Sequence, residues 1–211
     1  MGDFKRVIGS DGRRYTLFFK ASSCFSNFYS CDHLIIDGIS FLCTEQYYAF
    51  RKAVLFQDDW AAKEILRCTS PVDMKRIGRE VQNFDQSKWN SVSIDVMATA
   101  VMHKFVQDEI MRKDLLRSTG STLVECNPND RIWGNGLSID HDDAAEPSLW
   151  RGKNLLGAIL TKVREYLRTS PMYRKEVEEL QLNESLSNFY CWANGFGVDL
   201  LRSEPPAGRY R

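Results

Sequence analysis

The strongest constraint on this chain is a nearly unbroken run of helix signals from Thr44 to Arg117, flanked by short strand-like segments. Thr44 is placed to cap a helix running to about Phe56, and Asp58 or Asp59 to open a second one through Leu66. Ser70-Pro71 combines a capping serine with proline at the first helical position and leads a helix toward Arg79. From Ser87 to Gln107, Trp89, Val92, Val96, Ala100 and the pair His103/Lys104 recur at spacings of three and four, which predicts a long helix. A shorter one follows over Glu109–Arg117. Ahead of this run, Arg14–Phe19 and His33–Ile36 read as strands, and Asp37-Gly38 supplies a tight hairpin turn into Ile39–Leu42. Behind it, Thr122–Glu125 reads as a brief strand. Asn154–Arg168 reads as the last strong helix, with Leu155, Ile159, Val163 and Tyr166 on one stripe. This order predicts an α+β fold, mainly helical, with a short N-terminal strand region.

At 211 residues the chain fits one domain, and 43% hydrophobic with 12% aromatic residues suffices for a substantial core. Lys plus Arg and Asp plus Glu are 28 each. No global basic field recruits nucleic acid, so any such contact has to come from a local patch. No apolar run approaches the roughly 18 residues of a membrane span, so no membrane partner is expected. The six cysteines contain no C-x-x-C pair and the three histidines share no ligand spacing, so neither a metal nor another cofactor is expected. With no apolar segment at the N-terminus, reduced thiols and a cytoplasmic or nuclear location, not secretion, are the expectation. After Thr169 the pattern weakens, and Glu204–Arg211 reads as a frayed tail.

The first predicted helix carries the chemistry. On a wheel at 100° per residue, Cys43, Tyr47, Phe50 and Val54 share one side as a core stripe, and Glu45, Tyr48, Ala49, Lys52 and Phe56 share the opposite one. Both sides carry aromatic residues, so both are expected to be covered. Glu45 and Lys52 are seven residues apart, about 10 Å along the axis, which is too far for an ordinary ion pair but suited to one small molecule lying across the helix. The plainer alternative has Glu45 complementing the helix dipole and Lys52 reaching to solvent.

A second constellation lies in the long aperiodic stretch from Asn127 to Lys153, whose two tryptophans argue for order. It holds Asp130-Arg-Ile-Trp-Gly-Asn-Gly136 and leads into Trp150-Arg-Gly-Lys-Asn-Leu-Leu-Gly157. Gly134 and Gly136 would let backbone approach a ligand, and Trp133 or Trp150 could stack on a base. Arg151, Lys153 and the N–H groups opening the last helix, at Asn154, would suit a phosphate. A structural turn with tryptophans closing the core is the alternative.

Taken in order, these segments resemble the NADAR (YbiA-like) family. The resemblance runs through Phe25-Ser-Asn-Phe-Tyr29, Thr44-Glu-Gln-Tyr-Tyr-Ala-Phe-Arg-Lys52, Ser70-Pro71, Gly78-Arg79, Trp89, Lys104-Phe105 and the two blocks just quoted. It covers about residues 16–168, leaving 1–15 as a lead-in and 169–211 as a partly flexible extension. It implies a compact single domain acting as an N-glycosidase on a ribosyl C–N bond. Its substrate would be ADP-ribosylated guanine, as a nucleotide or in nucleic acid. The alternatives are a ribosylamino-pyrimidine of the riboflavin pathway, or a non-catalytic ADP-ribose or nucleotide-binding module. The family's glutamate falls on Glu45, its lysine on Lys52 and its aspartate before the Trp-Gly turn on Asp130. Its substrate-side asparagine falls on Asn27, beside Phe28. Asn135 stands where bacterial relatives can carry an acid, so no catalytic carboxylate is assigned there.

Overall fold

A computed structural model describes residues 3–195, with the backbone alone at 184 and 186–195; the expected tail at Glu204–Arg211 lies outside the described residues. The chain divides into two compact units, one ending at Thr169 and one beginning at Ser170.

In the first unit, β1 (Phe4–Ile8), β2 (Arg14–Phe18) and β5 (Ser121–Glu125) form one sheet in the order β1-β2-β5, with β1 antiparallel and β5 parallel to β2. The described part of the lead-in is therefore structured. Its Phe4–Ile8 segment, too polar to signal a strand alone, is recruited by pairing Phe4 with Phe18 and Ile8 with Arg14. A hairpin, β3 (Leu34–Ile36) with β4 (Ile39–Phe41), turns at Asp37 (φ 53°) and Gly38 (φ 78°), the left-handed pair that a two-residue loop between twisted strands requires.

Between the parallel strands run α1 (Thr44–Leu55), α2 (Asp59–Arg67), α3 (Pro71–Arg79), α4 (Gln86–Gln107) and α5 (Glu109–Arg117). Asp58, Ser70, Asp85 and Asp108 cap the later four by accepting an N–H three residues on. The first helix departs from expectation. Thr44 is its first helical residue, and Cys43 holds the cap position with no side-chain bond to the helix's amides. α6 (Leu155–Thr169) packs on β5 so closely that a Cβ on Gly157 would overlap the Leu123 carbonyl oxygen.

The core between the helices joins Ala49 and Ala53 of α1 and Phe56 just after it to Ile65, Ile77 and Trp89. This corrects the expected stripe: Val54 is 47% exposed, while Ala49 and Ala53 are buried. Small side chains let α1 meet α3 closely, where a Cβ on Gly78 would stand 3.0 Å from the Ala49 Cβ. Lys104 is buried in α4 and donates from Nζ to Ser26 O at 2.8 Å, fixing the Phe25–Tyr29 loop against the helices. Burial favours the neutral amine and pushes its pKa down.

In the second unit, α7 (Arg174–Gly195) forms where the sequence pattern had faded. Among the described residues no helix is long and apolar enough to cross a membrane. The architecture is α+β and mainly helical.

Candidate active site

The first turn of α1 is held from three directions. Thr44 Oγ1 donates to Asn27 Oδ1 at 3.0 Å, and Glu45 N donates to Asn27 O at 3.1 Å. Gln46 accepts from Leu42 N at 2.6 Å and donates to Ile65 O at 2.9 Å. Asn27 is thus a buried strut under the helix start and does not line the cavity. Anchored this way, Glu45 projects into a cavity of about 1040 Å³ enclosed by α1, α3, the start of α4 and the segment 128–133.

Glu45 is only 7% exposed, and among the described residues its carboxyl makes no hydrogen bond or ion pair. Burial pushes its pKa up to about 7; Lys75 and Arg79 pull against that and the Asp130 carboxylate adds to it. Its charge therefore changes near neutrality.

Two turns on, Lys52 is half-buried in the same cavity. Its Nζ donates to Gly78 O at 2.8 Å and stands 3.9 Å from the centroid of the Phe84 ring. Burial and the Arg79 guanidinium push its pKa down. The alternatives left open by the wheel are resolved sterically: Glu45 is not a surface first-turn charge, and Lys52 does not extend freely to solvent.

Asp130 completes the group. Its Oδ1 accepts from Trp133 N at 2.8 Å and Ile132 N at 3.1 Å, which folds the loop back on itself, and its Oδ2 lies 3.5 Å from Lys75 Nζ. The resulting turn presents Trp133, whose ring meets Tyr48 edge-on at 5.5 Å. Tyr48 meets Trp89 at 4.9 Å and accepts its Nε1–H at 3.1 Å. Burial lifts the Tyr48 hydroxyl to about 12, so it stays neutral. Phe28 lies outside the lining, its ring 5.7 Å from Lys75 Nζ.

The second constellation divides. Lys153 lines the cavity; Gly134, Gly136, Trp150, Arg151 and Asn154 do not. The segments around 131–135 and 151–154 pair backbone to backbone through Arg151 N to Asn135 O, Lys153 N to Arg131 O and Asn154 N to Gly134 O, all near 2.9–3.0 Å. Gly136 serves that packing, with φ 74° and room for a Cβ only 3.0 Å from the Arg151 backbone, while a Cβ on Gly134 would stand 2.9 Å from the Glu125 and Asp130 carbonyl oxygens. Trp150 packs on the Tyr15, Leu17 and Val124 cluster, and its Nε1 donates to Ala144 O at 3.0 Å. Asn154 is buried, accepting from Glu125 N at 3.0 Å and donating to Leu123 O at 2.9 Å. Of the amides expected to meet a phosphate at the start of α6, Leu155 N and Leu156 N donate to the Ile132 and Trp133 carbonyls.

The sequence assigned no site role to Lys75, Arg79, Arg131 or Trp89, which line the cavity, or to the buried Glu125, which does not. Lys75 and Arg79 line the cavity from α3, four apart on one helix face; that spacing was the available signal. Glu125 ends β5 with Oε2 buried and unpartnered, and burial beside Asp130 pushes its pKa up to about 8. Nothing in its local sequence marks it.

Residues 17–168 match the NADAR domain. The chain is 37% identical to "Protein irg-1" of Caenorhabditis elegans over 187 residues, 82% of this chain and 88% of that protein. It is 37% identical over 125 residues to "N-glycosidase R617" of Acanthamoeba polyphaga mimivirus, covering 59% and 74% of the two chains. Against "N-glycosidase YbiA" of Escherichia coli it is 34% identical over 143 residues, 68% and 80% of the two. The NMR structure of E. coli YbiA superposes with a TM-score of 0.59 at 32% identity, over 72% of this chain and 83% of that one.

Proposed function

The chain belongs to the NADAR domain family, and from that footing we propose that it is an N-glycosidase that releases ADP-ribose from ADP-ribosylated guanine, in a nucleotide or in nucleic acid. The observation that carries this reading is Glu45, a buried carboxyl that titrates near neutrality and opens onto the cavity that also holds Lys52 and Asp130. The names of the mimivirus and E. coli relatives support the bond class.

In hydrolysis, a water oxygen bonds to the anomeric carbon as the C–N bond breaks; the leaving nitrogen gains a proton and the water loses one. Protonated Glu45 donates to that nitrogen, and its carboxylate then accepts the proton from water. Lys52 offers a covalent route. Opening the ribose ring turns the N-glycoside into an imine, and the neutral Lys52 amine adds at C1. The nucleobase nitrogen then leaves with a proton, and water hydrolyses the lysine imine to the free aldehyde sugar. Burial of Lys52 enlarges the fraction of neutral amine and favours this route. Asp130, fixed by two amides, is positioned for ribose hydroxyls. Arg79, Arg131 and Lys153 suit a diphosphate, and Tyr48, Trp89 and Trp133 suit a base. A cavity of about 1040 Å³ accommodates a ligand of that size.

The test is release of ADP-ribose from ADP-ribosylated guanosine, free and within an oligonucleotide, read by mass spectrometry with a ribosylamino-pyrimidine phosphate alongside. Wild-type turnover lost in Glu45→Gln is the expected result. Cleavage of the pyrimidine alone would replace the substrate, and binding without turnover of any of the three would replace the enzyme with a binding module.

A further inference from the structure

Trp150 and Lys153 were singled out by the sequence for base and phosphate contacts, yet Trp150 faces away from the reaction cavity. Both line a second groove, of about 700 Å³, between the turn at Gly12–Arg14, the start of β5 and the outer face of α6. Its cations are Arg13, Arg14, Lys153, Lys162 and Arg164, and among the described residues no acidic one lines it. Two of these are already engaged: Arg13 lies 3.7 Å from Asp11, and the buried Arg164 bonds the Ser118 and Ser121 carbonyls as well as Glu165. Arg14, Lys153 and Lys162 are exposed and, among the described residues, have no ion pair.

Small residues keep the groove open. Gly12, Gly120, Gly157 and Ala158 lie along it, and a Cβ on Gly120 would meet the Arg14 guanidinium at 2.5 Å. Trp150, half-buried against the sheet cluster, adds a flat aromatic surface at one side. Lys153 lines both this groove and the reaction cavity, so one extended ligand can run from one to the other. In a chain with equal numbers of acidic and basic residues, such a one-signed groove is a local field of the kind phosphates require.

We propose that this groove docks a single strand of nucleic acid, its phosphates on Arg14, Lys153 and Lys162 and a base against Trp150, so that a nucleotide farther along the strand reaches the cavity. A concave channel with an aromatic wall suits a strand; a lipid surface would need a convex, apolar face. The inference rests on the proposed reaction for what the strand delivers, while binding is measured without turnover.

The experiment is fluorescence anisotropy of a labelled 12-nucleotide single strand with the full chain, its R14E/K162E variant, and K63E/R67E on α2 as a control of equal charge change. Three phosphate contacts at a slope of about 0.7 each predict roughly 20-fold weaker binding between 50 and 200 mM salt. R14E/K162E should bind about tenfold or more weakly, and the α2 control should bind as the wild type does. All three should hydrolyse the free nucleotide substrate equally, since none of the changed residues lines the reaction cavity. Equal weakening by the α2 control, undiminished binding in R14E/K162E, or recruitment of phosphatidylserine vesicles in place of the oligonucleotide would overturn the proposal. If the wild type binds the strand through Arg14 and Lys162 but cleaves no substrate, the reaction falls and the groove stands.

Discussion

Replacing Glu45 with glutamine should make the protein more stable as it removes its activity, with a gain that depends on pH. A carboxyl raised from 4.5 when unfolded to about 7 when folded binds its proton more tightly in the native state. Below pH 4.5 it is protonated in both states and contributes no difference. Between 4.5 and 7 the unfolded chain gives up the proton first, so stability falls as pH rises; above 7 the loss is complete. At ~1.4 kcal/mol per pH unit, the folded state is then penalised by about 3 kcal/mol. Glu45→Gln keeps the shape and does not titrate. Its melting temperature should match the wild type near pH 4.5 and exceed it by roughly 6–12 °C at pH 8, taking 2–4 °C per kcal/mol for a chain of this size. Melting curves of both proteins at pH 4.5, 5.5, 6.5 and 8 measure this. Glu125 is present in both, so its own titration largely cancels from the difference. An increment that does not grow with pH, or a variant less stable at pH 8, would refute the claim that an uncompensated buried carboxyl sits at this position.

The same proton should govern catalysis, so log(kcat) of the wild type is expected to bend near pH 7. Lys52→Ala should abolish both turnover and the borohydride-trapped adduct mapped to the α1 peptide; a turnover-competent variant would remove the covalent route. Asn154→Ala leaves the buried Glu125 N–H and Leu123 carbonyl without partners and should cost about 2–6 kcal/mol in denaturant unfolding, since each orphaned group costs about 1–3. Gly157→Ala should destabilise the fold by more than 1 kcal/mol, because the added methyl overlaps the backbone of β5 and only separation of α6 from the sheet relieves it. Wild-type unfolding midpoints in either variant would contradict these packing arguments.

Much of the local structure was written in the sequence. The capping residues Asp58 and Ser70, the proline at 71 and the Asp37-Gly38 turn act on backbone within a few residues, so their effect is decided before distant segments meet. Glu45 and Lys52 were legible because a helix fixes the face on which residues seven apart lie, and the ordered motifs identified the family. Three matters needed the tertiary structure. Phe4–Ile8 is a strand only because Arg14–Phe18 offers it a hydrogen-bonding edge. Cys43 replaced Thr44 as the cap because Asn27, seventeen residues earlier, engages the threonine hydroxyl. Lys75 and Arg79 reached the site through the crossing of α3 over α1. The sequence also placed Trp150 and the α6 amides beside the ligand. The backbone pairing of 131–135 with 151–154 instead turns that tryptophan toward the second groove and occupies those amides. Short-range periodicity reports which face a side chain takes; what that face meets depends on contacts between distant segments, and those set the charge state of Glu45 and the walls of both grooves.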